Sequence, residues 1–251
     1  MTEPRRTPYP APAAAWMVGE QPARVLDLAS GRGSFAAMLA AEGHEVFGID
    51  RDVARVAGLV DRLGTRLHVA GQVESMPYLS CHFDVVTASD TLHRFAPGLA
   101  LTEIARVLRP GGHLAVAYNT RDDTVPWVRR LTALMRAADP HAMAGDFGQE
   151  AVAAVADSPY FVGLERRSFR NWVPITRHGL LSMVHRQPWA AGLAPAVRDE
   201  LLAAVGELYD TSARRPEPLL LPFQTSCWRA DVDHSELGVA EDADDALEIR
   251  L

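Results

Sequence analysis

The chain has 251 residues, 48% of them hydrophobic, enough to bury the core of one large domain, alone or with an embellishment. All 25 basic residues are arginine, which excludes a Walker-A lysine, a lysine Schiff base and a lysine general base. The net charge of −7 belongs to the end of the chain: residues 231–251 carry eight acids and one arginine, the remaining 24 arginines balance 24 acids, and a neutral body argues against a nucleic-acid partner.

Residues 1–22 are rich in proline and alanine and read as an irregular leader with a short helix over Ala13–Val18. Tyr9 and Trp16 either tack this leader onto the core or form part of a lid over a ligand. No apolar run reaches the length of a membrane span, and Arg5-Arg6 is followed by no apolar stretch of the kind a secretion signal has. Cys81 and Cys227 are too few for a disulfide framework or a zinc site, and no His/Asp cluster has metal-ligand spacing. A cytoplasmic protein without a bound metal is expected.

Val25, Leu26 and Leu28 make an apolar run of strand length. Gly31 and Gly33 then permit a tight turn and close approach of a ligand to the main chain. A helix follows through Phe35, Met38 and Leu39 to about Glu42. The free N–H groups at its start favour a carboxylate or phosphate. A strand, a glycine turn and a helix in this order form a small-molecule cradle at the edge of a parallel sheet.

The string Gly31-x-Gly33-x-x-Ala36 satisfies the dinucleotide fingerprint formally, so a nicotinamide-dependent oxidoreductase is one reading. Asp27 points elsewhere. A carboxylate inside an apolar strand is costly to bury without a partner, and it would repel a pyrophosphate. S-adenosylmethionine (SAM) brings an ammonium and a sulfonium to meet it, and a carboxylate for the helix N-terminus. The plainer alternative is that Asp27 only bonds loop N–H groups.

The next strand, His44–Asp50, ends in an acid 17 residues after Gly33. At the tip of a second strand such an acid faces ribose hydroxyls, or caps the helix Asp52–Leu63, or does both. Strand Arg66–Ala70 leads into the loop Gly71-Gln72-Val73-Glu74, where Gln72 and Val73 are candidates for adenine contacts. A fourth strand, Cys81–Asp90, precedes Thr91-Leu92-His93-Arg94-Phe95. His93 is a base or a packing partner of the cofactor. A helical stripe over Leu99–Leu108 is broken by Arg109-Pro110-Gly111-Gly112, and His113–Tyr118 makes a fifth strand.

Together VLDLASGRG, the acid of FGID, GQVESMP, FDVVTASDTLHRF and EIARVLRPGGHLAVAYN resemble the class I SAM-dependent methyltransferases. The similarity is to the type 11 group that includes quinone-biosynthesis C-methyltransferases. It covers roughly residues 23–120; NTRDDTVPW and the leader around Tyr9-Pro10 also resemble a subgroup of small bacterial and fungal members. The resemblance implies that Asp27, Gly31 and Gly33 surround the methionine end of SAM. It implies that Asp50 holds the ribose, that Gln72 and Val73 flank the adenine, and that Ser89 and His93 lie near the methyl group. Ala29 and Ser30 in the turn and Arg51 beside Asp50 complete the candidate cofactor set. Ala29 stands where the family commonly has its first glycine, and Gln72 where it often has an acid.

Further on, Val125–Ala138 and Gly148–Ala156 read as helices, Tyr160–Val173 as a strand, Thr176–His185 and Pro195–Tyr209 as helices, and Leu219–Arg229 as a last strand. The expected fold is an α/β, Rossmann-like, doubly wound and mostly parallel seven-stranded sheet, with an antiparallel last strand and a helical insertion before it. Its expected parts are a leader over 1–22, a SAM-binding domain over 23–230 with the insertion at about 174–212, and an acidic mobile tail over 231–251. The expected activity is direct methyl transfer from SAM to a small-molecule acceptor. A non-catalytic SAM-binding protein is the alternative. Tyr9, Asn119, Arg121, Trp172 and Met183 are the candidate acceptor contacts, although the insertion's aromatic and methionine side chains could equally be core.

Overall fold

The computed structural model describes residues 9–140, 147–213 and 218–237. The chain lays down α1 (Ala11–Val18), β1 (Arg24–Leu28), α2 (Ser34–Ala41), β2 (Glu45–Asp50), α3 (Val53–Leu63), β3 (His68–Ala70) and β4 (Phe83–Ser89). After a 3-10 turn at Leu92–Arg94 come α4 (Pro97–Val107), β5 (Leu108–Arg121), α5 (Pro126–Ala138), α6 (Phe147–Ala156) and β6 (Phe161–Ile175). The chain continues with α7 (Arg177–His185), a 3-10 turn at Pro188–Gly192, α8 (Pro195–Ser212) and β7 (Leu219–Val232). The seven strands form one sheet in the order β3-β2-β1-β4-β5-β7-β6. Among the described residues only β7 runs against its neighbours, β5 and β6. This is the expected architecture.

Residues that pair across parallel strands share a face, so register sorts the side chains. One face carries Val25, Val46, Val85, Ala115, Ala117 and Cys227, covered by α1 and by Phe35, Ala36 and Leu39 of α2. The other carries Leu26, Leu28, Ile49, Val86, Val116 and Tyr118, covered by α4 and α6. The insertion has a core of its own, built from Leu131 and Met135 of α5, Leu180 and Val184 of α7, and Leu201, Val205 and Leu208 of α8.

Three expectations change. The leader is part of the core from Tyr9 onward: Ala13, Ala14 and Met17 are fully buried. His113 Nε2 lies 2.7 Å from the Met17 carbonyl, and Arg229 donates to the Trp16 carbonyl at 3.1 Å, so two β-strand side chains satisfy carbonyls that the end of α1 leaves open. Strand β5 starts at Leu108 rather than His113, because Leu108 pairs with Phe83 and the proline–glycine segment is absorbed as a register shift. Strand β7 runs to Val232, so Asp231 and Val232 belong to the sheet rather than to the acidic tail. His234 Nε2 also meets the Ala105 carbonyl at 3.0 Å. Residues 238–251, which hold most of that tail, lie outside the described residues.

Candidate active site

The glycine turn sits over the C-terminal ends of β1 and β2. Ala29, Gly31 and Gly33 have φ of 49°, 56° and 61°. Gly33 has a second reason to lack a side chain, since a Cβ there would run into Leu59 of α3. Gly48 does similar work: a Cβ would meet Ser30 Oγ and the His68 ring, so its absence lets the turn settle onto β2. Ser30 Oγ donates to the Asp27 carbonyl at 2.8 Å and helps to hold the turn.

Asp27 points into the face lined by α1 and α2 and is 2% exposed. Its Oδ1 accepts a hydrogen bond from Thr87 Oγ1 at 2.9 Å. Thr87 is its register partner on β4, two residues before Ser89, so all three side chains share one face. Burial pushes the Asp27 carboxyl up to about 7; the bond from Thr87 and the nearby Ser30 hydroxyl pull it down, and the charge of Asp50 pushes with burial. Among the described residues, no ion pair includes Asp27. Ser89 Oγ is buried and has no hydrogen-bond partner.

Asp50, at the tip of β2, accepts the Gly31 N–H at 3.0 Å and the Asp52 N–H at 2.9 Å. The helix cap is Asp52, whose side chain accepts from Ala54 and Arg55. Arg55 Nη1 approaches Asp50 to 4.0 Å. Beside Asp50 opens a cavity of about 260 Å³ lined by Ala29, Ile49, Val73 and Phe95 on its apolar walls, with Arg51, Asp52 and Arg94 at the edge. Arg51 is tied across to Glu74 at 3.0 Å. Val73 is buried in this wall. Gln72 is exposed, and its backbone bridges to Ser75.

His93 bonds to Tyr118. Its backbone N–H and its Nδ1 both meet Tyr118 Oη, at 3.2 and 3.3 Å. Tyr118 packs in the core of the opposite sheet face, and His93 lines a second cavity with Leu92, Phe95, Leu101 and Glu150. Burial lowers the His93 pKa, as does Arg94, while Asp90 opposes them. The place beside Ser89 belongs instead to Asp90, which the sequence marked only as the end of a strand. Asp90 takes φ of 56°. Its Oδ2 accepts from Tyr9 Oη at 2.8 Å and its Oδ1 from the Asn119 N–H at 2.9 Å.

Of the candidate acceptor contacts, Tyr9 and Asn119 meet at Asp90. Arg121 reaches Met183 Sδ at 3.6 Å, which joins the end of β5 to α7 of the insertion. Trp172 is set apart on edge strand β6, opposite Pro222 and 47% exposed. It lines neither cavity. Thr87, Asp90, Arg94 and Phe95 also meet the candidate site and are absent from the set read from sequence. Only Thr87 carried a signal, as the position two before Ser89 on the same strand.

No helix among the described residues is long and apolar enough to cross a membrane. A family described as a methyltransferase domain matches residues 26–116. Over 227 residues the chain is 29% identical to an uncharacterized methyltransferase of Mycobacterium tuberculosis, with 90% of each chain covered. It is 33% identical over 171 residues to a demethylmenaquinone methyltransferase of Beutenbergia cavernae, covering 66% of this chain and 65% of that one. A solved putative type II methyltransferase of Anaeromyxobacter dehalogenans shares the fold, with a TM-score of 0.66, 18% identity, and 89% of this chain and 96% of that one covered. The chain thus carries a methyltransferase domain over residues 26–116 and is similar to methyltransferases over most of its length.

Proposed function

We propose that this enzyme binds SAM across the ends of β1, β2 and β4 and transfers its methyl group to a small-molecule acceptor. The observation that carries the reading is Asp27: a buried carboxylate with a hydroxyl neighbour and no ion pair among the described residues suits a ligand that brings its own positive charge. The orphaned Ser89 hydroxyl supports it, since a buried polar atom without a partner suits a polar ligand group. The apolar slot of Val73, Ile49 and Phe95 beside Asp50 suits a purine next to a ribose.

In this reading Asp27 and the turn of Ala29, Ser30, Gly31 and Gly33 hold the methionine end. Asp50 accepts from the ribose hydroxyls, and Arg51, fixed by Glu74, closes the rim. Val73 packs on the adenine, and Gln72 reaches it through a rotamer change from its exposed position. Ser89 faces the reacting end. When bound, SAM supplies an electrophilic methyl on a sulfonium, transferred by direct displacement. The protein's share is alignment, exclusion of water and, for an acceptor with a proton to lose, its removal. His93 is placed to position the segment after β4 through Tyr118 rather than to reach that proton. Asn119, Arg121 and Met183 line the approach to the acceptor.

Calorimetry with SAM and with S-adenosylhomocysteine (SAH) tests the cofactor. Saturable binding that weakens in Asp50→Ala is expected; binding of NAD in place of SAM would overturn the reading. Demethylmenaquinone is the first acceptor to assay, because relatives carry that name. Cofactor binding without transfer to any acceptor in a broad screen would favour the non-catalytic alternative.

A further inference from the structure

Tyr9 is the first described residue of the chain, yet it is 2% exposed. Its ring meets Phe35 edge to face, with centroids 5.1 Å apart. Phe35 belongs to the first turn of α2, immediately after the glycine turn. The Tyr9 hydroxyl donates to Asp90 Oδ2 at 2.8 Å. One side chain therefore spans from the helix beyond the turn to the lip of β4. Asp27 lies close enough for its charge to act on the Tyr9 hydroxyl.

Asp90 is held firmly for this contact. Its N–H donates to the Ala117 carbonyl at 2.8 Å, and its Oδ1 accepts from Asn119. Asn119 Oδ1 in turn accepts from Thr225 Oγ1 at 2.6 Å. The left-handed backbone of Asp90 is a strain that these contacts sustain. The far end of α1 is fastened separately, by His113 and Arg229. If Tyr9 only packed, a phenylalanine would serve without burying a hydroxyl that needs a carboxylate partner.

We propose that Tyr9 is the wall of the cofactor pocket at its methionine end, and that Asp90 is the positioning residue that latches it. Cofactor entry and exit then require the Tyr9–Asp90 hydrogen bond to open. The inference rests on the cofactor reading given above.

The test uses SAH as the probe with the full chain, Tyr9→Phe, Asp90→Asn and the double variant. Surface plasmon resonance gives the association and dissociation rates, and calorimetry gives Tm. Tyr9→Phe keeps the ring on Phe35, and Asp90→Asn keeps the side-chain shape. Each single variant is expected to release SAH about tenfold faster, with little further change in the double variant, as for two ends of one contact. Variants that lose thermal stability but exchange SAH at the wild-type rates would overturn the latch and leave a structural bond only. A wild-type chain that binds neither SAM nor SAH would sink the cofactor reading itself, and the latch with it.

Discussion

Thr87 Oγ1 donates to Asp27 Oδ1 at 2.9 Å, joining the middle of β4 to a carboxylate buried in β1. The bond only partly offsets burial, and the Asp27 pKa stays near 7. In the unfolded chain the same carboxyl titrates near ~4. Between those values the folded protein holds a proton that the unfolded chain has lost, so stability without ligand falls as pH rises through that window. The loss has an upper limit of roughly 4 kcal/mol. Asp27→Asn keeps the shape and removes the titration. Its Tm at pH 8 is expected to exceed the wild-type value, with a flatter profile down to pH 5. Its affinity for SAM is expected to fall, because a cation favours the ionised carboxylate. Thermal scans across pH and titration with SAM check both halves.

Asp50 ties three parts of the site together: the glycine turn through Gly31, the start of α3 through Asp52, and the cavity wall. Asp50→Ala leaves the Gly31 N–H without its acceptor. A loss of roughly 1–3 kcal/mol in stability is expected from the unpaired donor. SAH affinity should fall by at least about tenfold, since the proposed ribose acceptor is lost and the turn loses a bond. Asp50→Asn retains one acceptor oxygen and should fall between Ala and wild type. Denaturant unfolding beside calorimetry with SAH measures the two effects on the same samples.

The strands of the cradle were legible because their signals are local. The run of Val25, Leu26 and Leu28, the two glycines and the acid closing β2 each declare themselves within a few residues. The mostly parallel seven-stranded sheet with an antiparallel last strand followed from the resemblance carried by those motifs. What escaped depends on contacts distant in sequence. Asp90 is 81 residues from the tyrosine that it binds. His93 was legible only as a base or a packing partner; its bond to Tyr118, which one step of register puts on the opposite face, was not. Trp172 alternates like a buried strand residue, but β6 is an edge strand and leaves it exposed. The leader showed a short helix, and Tyr9 and Trp16 as side chains that could tack it onto the core; how deeply that helix sits was not legible, because it depends on Ala13 and Ala14 letting α1 lie close to β5 and β7.

Ala29 occupies the left-handed region with φ of 49°, where a Cβ crowds the following carbonyl. The cost is roughly 1–2 kcal/mol for a residue other than glycine. Glycine recovers part of this but adds freedom to the unfolded chain, which takes back roughly 0.4–1 kcal/mol. Ala29→Gly should therefore raise Tm by about 1–3 °C. Scanning calorimetry without ligand reads the change directly. A drop in Tm would mean that the Ala29 methyl, on the wall of the 260 Å³ cavity, contributes more by packing than its backbone loses.

His93→Ala separates position from chemistry. The substitution removes the Nδ1 contact to Tyr118 Oη while the backbone N–H of residue 93 can still donate to it. The phenol also packs edge-on to Trp228, with centroids 6.2 Å apart, so Tyr118 keeps its place. A modest destabilisation of about 0.5–1.5 kcal/mol is expected. SAH affinity should stay within about threefold of wild type, because His93 lines the second cavity and not the one beside Asp50. With an acceptor in hand, the pH dependence of turnover should be the same for His93→Ala and wild type. A rate that falls at least about 100-fold and loses an ionisation would identify His93 as the base after all.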